Sequence, residues 1–463
     1  VVEIVLVYLA ASRLGLIISP VAMEYGHHEL KFIGDTIKPK AYIAFREFKN
    51  SEFGAVQGAI FDKSCKKLFF GIGGVFENKN EELNDYLKYK ESIKVNANDI
   101  MTICWTSGTT GRSKGVPRSH NHWLSSTLAS EDAIKLKTGA VMLNPFPFIN
   151  MAAIGGFLFY WLKVRGRLIL HHPFDPNVYL SQIQNEKVEY TIAPPAVLTR
   201  LLQTKDQIKA NFDLSSLRVI GSGSAPLSKE MVQGFENEFD VSIINIFGSN
   251  EGMAILSSPS DVLDPGLRAS FFPRFGRDEF EWDNRISQQI KTKLIDPETG
   301  VEIVDPSVPG ELLISGATVF DGYYNSPLDN KEAFSSDGYF RSGDLFEISG
   351  ENNQFYKFVG RCKSLIVRGG VNISPEELDE LISSHEHIVE AVVVAYPDRV
   401  MGEKICAVLV PHKGRVITLS DICSHLDKKK VAKFKWPEKL LTTKVLPRNA
   451  MNKVVRSELA KLI

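Results

Sequence analysis

The sequence is poor in the features that mark a special environment. Cysteine occurs five times in 463 residues, at Cys65, Cys104, Cys362, Cys406 and Cys423. An odd, dispersed set excludes a disulfide-framed scaffold, and its spacing has none of the paired thiols of a zinc site. Free thiols fit a reducing compartment, so the expected location is cytoplasmic. Neither sign of charge is in excess: 54 Lys+Arg face 55 Asp+Glu, leaving −1 at pH 7. A nucleic-acid partner or a membrane-surface role is therefore not expected. The most apolar run, Ile4 to Ile18, is broken by Arg13 and Gly15 and is too short for an integral membrane segment. No basic region precedes it, as a secretory signal requires. Val1 already lies inside this pattern, so the chain is expected to begin part-way through a helix, with an earlier segment missing.

What is present is ordinary globular composition, 44% hydrophobic and 24% charged. The length is too great for one core, so two or three domains are expected. Strand-like segments at Ala41–Phe45, Ile100–Trp105, Arg167–His171, Tyr190–Ala193, Leu217–Gly221 and Val241–Ile246 alternate with helical ones such as Asn177–Glu186 and Ser228–Phe239. That alternation predicts α/β layering with mostly parallel sheets. From Lys291 to Tyr324 the pattern turns to strands and turns, which predicts a β-rich subdomain. After residue 360 a separate unit begins. Ser374-Pro375-Glu376-Glu377 has the form of a capping box with proline at the first helical position. Two further strands are expected at Ala391–Ala395 and Ile405–Pro411. The predicted organisation is a large N-terminal α/β domain over 1–360 and a small α+β C-terminal domain over 361–463.

The most informative stretch runs from Thr106 through Ser107, Gly108, Thr109, Thr110, Gly111, Arg112 and Ser113 to Lys114 and Gly115. Glycines let a backbone turn sharply and bring its N–H groups to a ligand, and the hydroxyls and Lys114 add donors for phosphate oxygens. It is not a Walker A loop, because Ser113 precedes the lysine and Gly115 follows it. Two more small-residue loops follow predicted strands: Gly221-Ser222-Gly223-Ser224-Ala225-Pro226-Leu227, and Phe247-Gly248-Ser249-Asn250-Glu251-Gly252. Ligands of open α/β sheets bind outside the carboxyl ends of strands, so three such loops are expected to share one crevice. Glu251 offers it a carboxylate suited to Mg²⁺.

In these motifs and their order the chain resembles the adenylate-forming superfamily of acyl-CoA synthetases, coumarate-CoA ligases, beetle luciferases and adenylation domains. The resemblance covers essentially the whole length. It implies that residues 106–115 form the phosphate loop and that Ser224-Ala225-Pro226 lies beside adenine. Phe247-Gly248-Ser249-Asn250-Glu251 is similar to the aromatic-Gly-x-Thr-Glu motif. Tyr339 to Leu345 is similar to the Tyr-Arg-Thr-Gly-Asp element, which implies that Asp344 binds ribose. Gly360-Arg361-Cys362-Lys363-Ser364 resembles the inter-domain hinge, with Arg361 on the nucleotide side and Lys363 as the pivot of a mobile C-terminal domain. Pro447 to Lys453 resembles the motif whose lysine, here Lys453, is catalytic. Pro145 to Asn150 is similar to the acyl-pocket motif, which implies an acid site with Phe148, Asn150 and Gly223 in its wall.

The implied activity is that of an acid-thiol ligase. It joins a fatty or aryl carboxylic acid to AMP at the expense of ATP, and then passes the acyl group to coenzyme A. An acyl carrier protein is the alternative acceptor, and a non-catalytic nucleotide-binding homologue is the alternative of a different class. Retention of Lys453 and Glu251 argues against the latter. The resemblance implies that Glu251 and Asn250 are catalytic beside Lys453. The chain departs from the family at Asn250, where threonine is usual and an amide is left to donate to phosphate, and at Asn452, where glycine is usual. It has no aspartate in the acyl-pocket segment, which argues against an amino-acid substrate. The identity of the acid and the oligomeric state are not encoded in these motifs.

Overall fold

The computed structural model describes residues 2–23, 25, 27–47, 52–70, 80–106, 113–252, 255–362, 366–368, 371–398, 401–429, 431, 433–449 and 453–463. Strands β1 (Ala41–Phe45) and β2 (Lys66–Phe70) form a small parallel pair. Strands β3 (Ile100–Thr106) and β4 (Lys114–Ser119) pair antiparallel on either side of the predicted phosphate loop. The central sheet contains β5 (Val141–Asn144), β6 (Arg167–Leu170), β7 (Tyr190–Ile192), β8 (Val219–Gly223), β9 (Ser242–Phe247) and β10 (Ile255–Ser257). Its order is β10-β9-β8-β7-β5-β6, parallel throughout except at β10.

This sheet is covered on both sides, as a parallel sheet requires. Successive residues point to opposite faces, so each strand feeds two cores. Met142, Tyr190, Ile192, Val219 and Ile244 join one core with Phe157 and Tyr160. Leu143, Ile220 and Ile243 join the other with Leu180, Ile183 and Phe235. The helix Lys229–Phe239 illustrates the local logic. Ser228 caps it by accepting from Met231 N, and Met231, Val232 and Phe235 form its buried stripe.

Strands β11 (Phe271–Pro273), β12 (Ile290–Ile295), β13 (Glu302–Ile303), β14 (Gly310–Gly316), β15 (Phe340–Ser349) and β16 (Phe355–Arg361) form an antiparallel sheet ordered β11-β16-β15-β14-β12-β13. The expected β-rich subdomain is this sheet, and it extends further than the segment 291–324. The small C-terminal domain holds β17 (Ile366–Arg368), β18 (Val371–Ile373), β19 (Ile388–Asp398), β20 (Gly402–Pro411) and β21 (Lys439–Thr442). The helices Pro375–Ser383 and Leu419–Lys428 pack on them around Leu378, Ile382, Ile422 and Leu426.

Two expectations need correction. The strand before the phosphate loop lies outside the parallel sheet. Only the loops after β8 and β9 leave neighbouring strands of it, whereas β3 and β4, which flank the predicted phosphate loop, form a separate hairpin. The capping box at Ser374 is half-formed. Ser374 Oγ accepts from Glu377 N at 3.2 Å. The Glu377 carboxylate turns instead to Lys435 Nζ at 2.7 Å, where a cation competes better than a neutral amide.

Candidate active site

The site is assembled where β8 and β9 end, between the β3–β4 hairpin and the β14–β15–β16 sheet. After β8 the chain turns at Ser224, which adopts φ +68°. Ser224, Ala225 and Pro226 stand exposed, while Leu227 is buried and anchors the loop. Ser222 Oγ donates to Ala193 O at 2.8 Å and ties this loop to the end of β7. Gly223 lies against β9: a Cβ there would sit 2.1 Å from Ile246 O.

After β9, Phe247 packs edge-on to Phe346 at 4.9 Å, and Gly248 is exposed. Asn250 and Glu251 follow, both 8% exposed. Asn250 Oδ1 accepts from Met151 N at 2.9 Å, and Nδ2 donates to Trp105 O at 3.5 Å. Glu251 Oε1 accepts from the Tyr323 hydroxyl at 3.0 Å. Burial and the adjacent carboxylate push the Tyr323 phenol well up, so it stays protonated and remains a donor. The ring of Tyr323 lies 4.8 Å beneath Lys114 Nζ, which also pairs with Asp329 at 2.7 Å. Gly252 is required by its surroundings. Its φ is +109°, and a Cβ would sit 1.7 Å from Thr318 O and 2.4 Å from Arg118 Nη1.

Sequence reasoning missed both Tyr323 and Arg118, because one tyrosine or one arginine has no spacing signature. Arg118 is fully buried. It donates to Asn250 O at 3.1 Å, His122 O at 2.9 Å, Ser126 Oγ at 2.9 Å and Thr318 O at 3.0 Å, and it lies over the Trp123 ring. Burial lowers its pKa to about 10, so it stays charged at neutral pH. It fixes the backbone of the Asn250–Glu251 loop.

The other side of the site comes from β15, β16 and the C-terminal domain. Asp344 sits opposite Arg361 in register, with Nε 2.7 Å from Oδ1. Burial raises Asp344 to about 6, while Arg361 and Lys453 oppose that rise. Glu311 holds the turn by accepting from Gly343 N at 3.0 Å and from Arg341 Nε at 2.9 Å. Lys453 reaches the same cluster. Lys453 keeps solvent contact, but desolvation by the protein atoms around it, then the Arg361 guanidinium, lower its pKa, and the carboxylates of Asp344 and Glu251 counteract them. Its backbone is held by Asn449, whose Oδ1 accepts from Lys453 N at 2.9 Å.

The segment expected to line an acid pocket starts from β5. Asn144 Oδ1 and Nδ2 both bond Phe146 backbone at 3.0 Å and turn the chain. Phe148 is 2% exposed and belongs to a core with Val5, Tyr8, Trp123 and Ile154. Asn150 caps the short helix Met151–Ala153 by accepting from Ala153 N at 3.2 Å. A π-helical turn, Ile154–Phe159, continues it and brings Gly156 against Ile192.

The structure thus brings together Glu251, Asn250, Lys114, Asp344, Arg361 and Lys453. Thr106 stands at the end of β3, opposite Lys114. Ser107, Gly108, Thr109, Thr110, Gly111 and Lys363 lie outside the described residues. Among the described residues, no group of three His, Cys, Asp or Glu could enclose a metal. A single carboxylate beside a phosphate site fits Mg²⁺, which shares its shell with substrate oxygens and water. No described helix is long and apolar enough to cross a membrane. A cavity of ≈ 700 Å³ lined by Lys209, Asp213 and Asp240 contains none of these residues.

Known proteins resemble this chain in sequence and in fold. The family model described as AMP-binding enzyme matches residues 1–324, and that of the AMP-binding enzyme C-terminal domain matches 377–453. A probable CoA ligase of Humulus lupulus, CCL5, is 31% identical over 80% of this chain and 64% of its own length. The luciferin 4-monooxygenase of Photuris pensylvanica is 28% identical over 92% of this chain and 77% of its own. ATP-bound MatB from Rhodopseudomonas palustris superposes with a TM-score of 0.81 at 27% identity, over 100% of this chain and 86% of that one. The chain spans just under two thirds of the length of the first of these relatives.

Proposed function

The chain belongs to the AMP-binding enzyme family, and from that premise we propose that it activates a carboxylic acid with ATP and transfers the acyl group to the thiol of coenzyme A. The observation that carries this reading is the convergence of Lys453 from the small domain with Asp344, Arg361 and Glu251 from the large one. In the first step a carboxylate oxygen attacks the α-phosphorus and the bond to pyrophosphate breaks. Charge grows on the α-phosphate and on the leaving group. Lys453 is a point charge placed to meet it, and Lys114 with the phosphate loop meets the leaving group. Glu251, held by Tyr323, would hold Mg²⁺, which supplies further neutralisation of phosphate charge. Asp344 accepts from ribose hydroxyls, and Arg361 holds its carboxylate in place. In the second step the thiol sulfur attacks the acyl carbon and AMP leaves. The small domain, bounded near residue 360, rotates about Lys363 between the steps.

We take the acid crevice to lie between the helix and π-turn over 151–159 and the ends of β7–β9. Ile192 lies against Gly156 and Gly221, and Ile246 against Gly221; these uncharged neighbours suit a fatty or aryl acid. Five free thiols support a cytoplasmic setting. The test is pyrophosphate release from Mg-ATP over a panel of fatty and aryl acids, with and without coenzyme A. Release that needs an acid, and thioester that needs coenzyme A, are expected. If only a phosphopantetheine-bearing carrier protein accepts the acyl group, the acceptor is reassigned. No release with any acid refutes the activity.

A further inference from the structure

Asn250 stands where its motif usually has threonine, and both ends of its carboxamide are engaged. Oδ1 accepts from Met151 N at 2.9 Å. Nδ2 points to Trp105 O at 3.5 Å, at the end of the strand that enters the phosphate loop. Its own carbonyl is held by Arg118 at 3.1 Å. The residue is 8% exposed, so these are interior bonds.

The bond to Met151 has a definite task. Met151 opens the helix that continues as the π-turn over Ile154–Phe159. The first N–H groups of a helix have no partner within it. Here two of them find side chains: Ala153 N goes to Asn150 Oδ1 and Met151 N to Asn250 Oδ1. One of these two partners therefore comes from another part of the fold, 99 residues away. That bond sets the helix, and with it Gly156 and Met151, relative to β9. A threonine hydroxyl can also accept and donate, but its one oxygen sits a bond closer to the backbone, so it does not span the two partners that Asn250 reaches with separate atoms.

We propose that Asn250 is a positioning residue for the acid: it braces the helical wall of the acid crevice against the phosphate-loop strand, and it is not a donor to the nucleotide phosphates. The proposal rests on the acid-activating reading above for its kinetic consequences, and on the geometry alone for its structural one.

The test uses the full chain with Asn250→Ala, Asn250→Thr and Asn250→Asp. Hydrogen–deuterium exchange of peptides covering residues 149–157 is measured first. Exchange is expected to speed up about tenfold in the Ala and Thr variants, the scale of one lost hydrogen bond. The Asp variant keeps an acceptor for Met151 N and is expected to retain protection. Steady-state pyrophosphate release is measured second. Ala and Thr are expected to raise KM for the acid roughly tenfold, with kcat and KM for ATP within about threefold of the parent. The Asp variant is expected to keep the acid KM while raising that for ATP, because it adds a negative charge near the triphosphate.

Unchanged exchange over 149–157 in the Ala variant overturns the brace. So does a fall of 10²–10³ in kcat with the acid KM unmoved, the mark of a lost transition-state donor. A gain in kcat for Thr with the acid KM unmoved overturns it as well. If the parent chain releases no pyrophosphate with any acid, the activity reading fails, and the exchange result still decides the brace.

Discussion

Lowering the pH across the ionisation of Asp344 perturbs one group whose two duties oppose each other. Burial raises its pKa to about 6, against the pull of Arg361 and Lys453. Ribose binding needs the carboxylate as an acceptor. About nine-tenths of it is ionised at pH 7 and about one-tenth at pH 5. The value of kcat/KM for ATP is therefore expected to fall roughly tenfold between those values, with an acid limb near pH 6. Arg361→Ala removes a cation that favours ionisation, and should move that limb upward. Asp344→Asn cannot titrate, so its weaker activity should show no such limb. Stability runs the other way. The folded pKa lies above the unfolded one, near 3.9, so the group's contribution is present below about pH 4 and lost as pH rises through 6. At pH 7 this amounts to roughly 3 kcal/mol, from about two pK units. Asp344→Asn is thus expected to raise the Tm of the nucleotide-free chain at pH 7 and to leave it unchanged at pH 4. Pyrophosphate release and thermal melts across pH 4–8 at constant ionic strength make the comparison. A limb that persists in Asp344→Asn would refute the assignment.

Four further outcomes are expected. Lys453→Ala should slow adenylate formation by on the order of 10²–10³ while sparing the reaction of preformed acyl-adenylate with coenzyme A; equal losses in the two half-reactions would remove its role. Lys363→Pro should leave adenylation near normal and block thioester formation, because proline fixes φ near −65°; normal acyl-CoA synthesis would remove the hinge from the mechanism. Asn150→Ala removes a helix cap and should cost about 1 kcal/mol in denaturant titrations, with Asn150→Asp near the parent; a changed ratio of kcat/KM between hydroxylated and plain acids would show that it also touches substrate. Gly252→Ala meets Thr318 O and a left-handed backbone, so soluble yield and Tm should both drop sharply, and a parent-like melt contradicts the packing described.

What could be read from the sequence was what has local cause. Ile100–Trp105 is apolar apart from Thr102 and β-prone, and it is a strand. Its partner Lys114–Ser119 carries lysine, proline, arginine and serine, and has no alternation to betray it. It becomes a strand because β3 supplies its hydrogen bonds and because Val116 and Arg118 are buried. The loops after β8 and β9 were legible because glycine clusters have few other uses. That the strand leading into the third loop belongs to a separate hairpin was not legible. Arg118 and Tyr323 were invisible because their meaning lies in partners such as Thr318, 200 residues from Arg118, and Glu251, 72 residues from Tyr323. Asn250 read as a departure from a motif, and only its contact with Met151 gives that departure a physical sense.

The central sheet feeds two cores, and these are not equal partners in adaptation. The core around Leu180, Ile183, Ile220 and Phe235 faces away from the helix over 151–159. The core around Tyr190, Ile192 and Phe157 shares residues with the frame of the proposed acid crevice. Volume-conserving exchanges in the first can alter robustness without redirecting chemistry, whereas the same exchanges in the second reshape what is admitted. Laboratory evolution of this chain toward a new acid would therefore draw its specificity from one side of a single sheet. It would draw the stability that makes such changes survivable from the other.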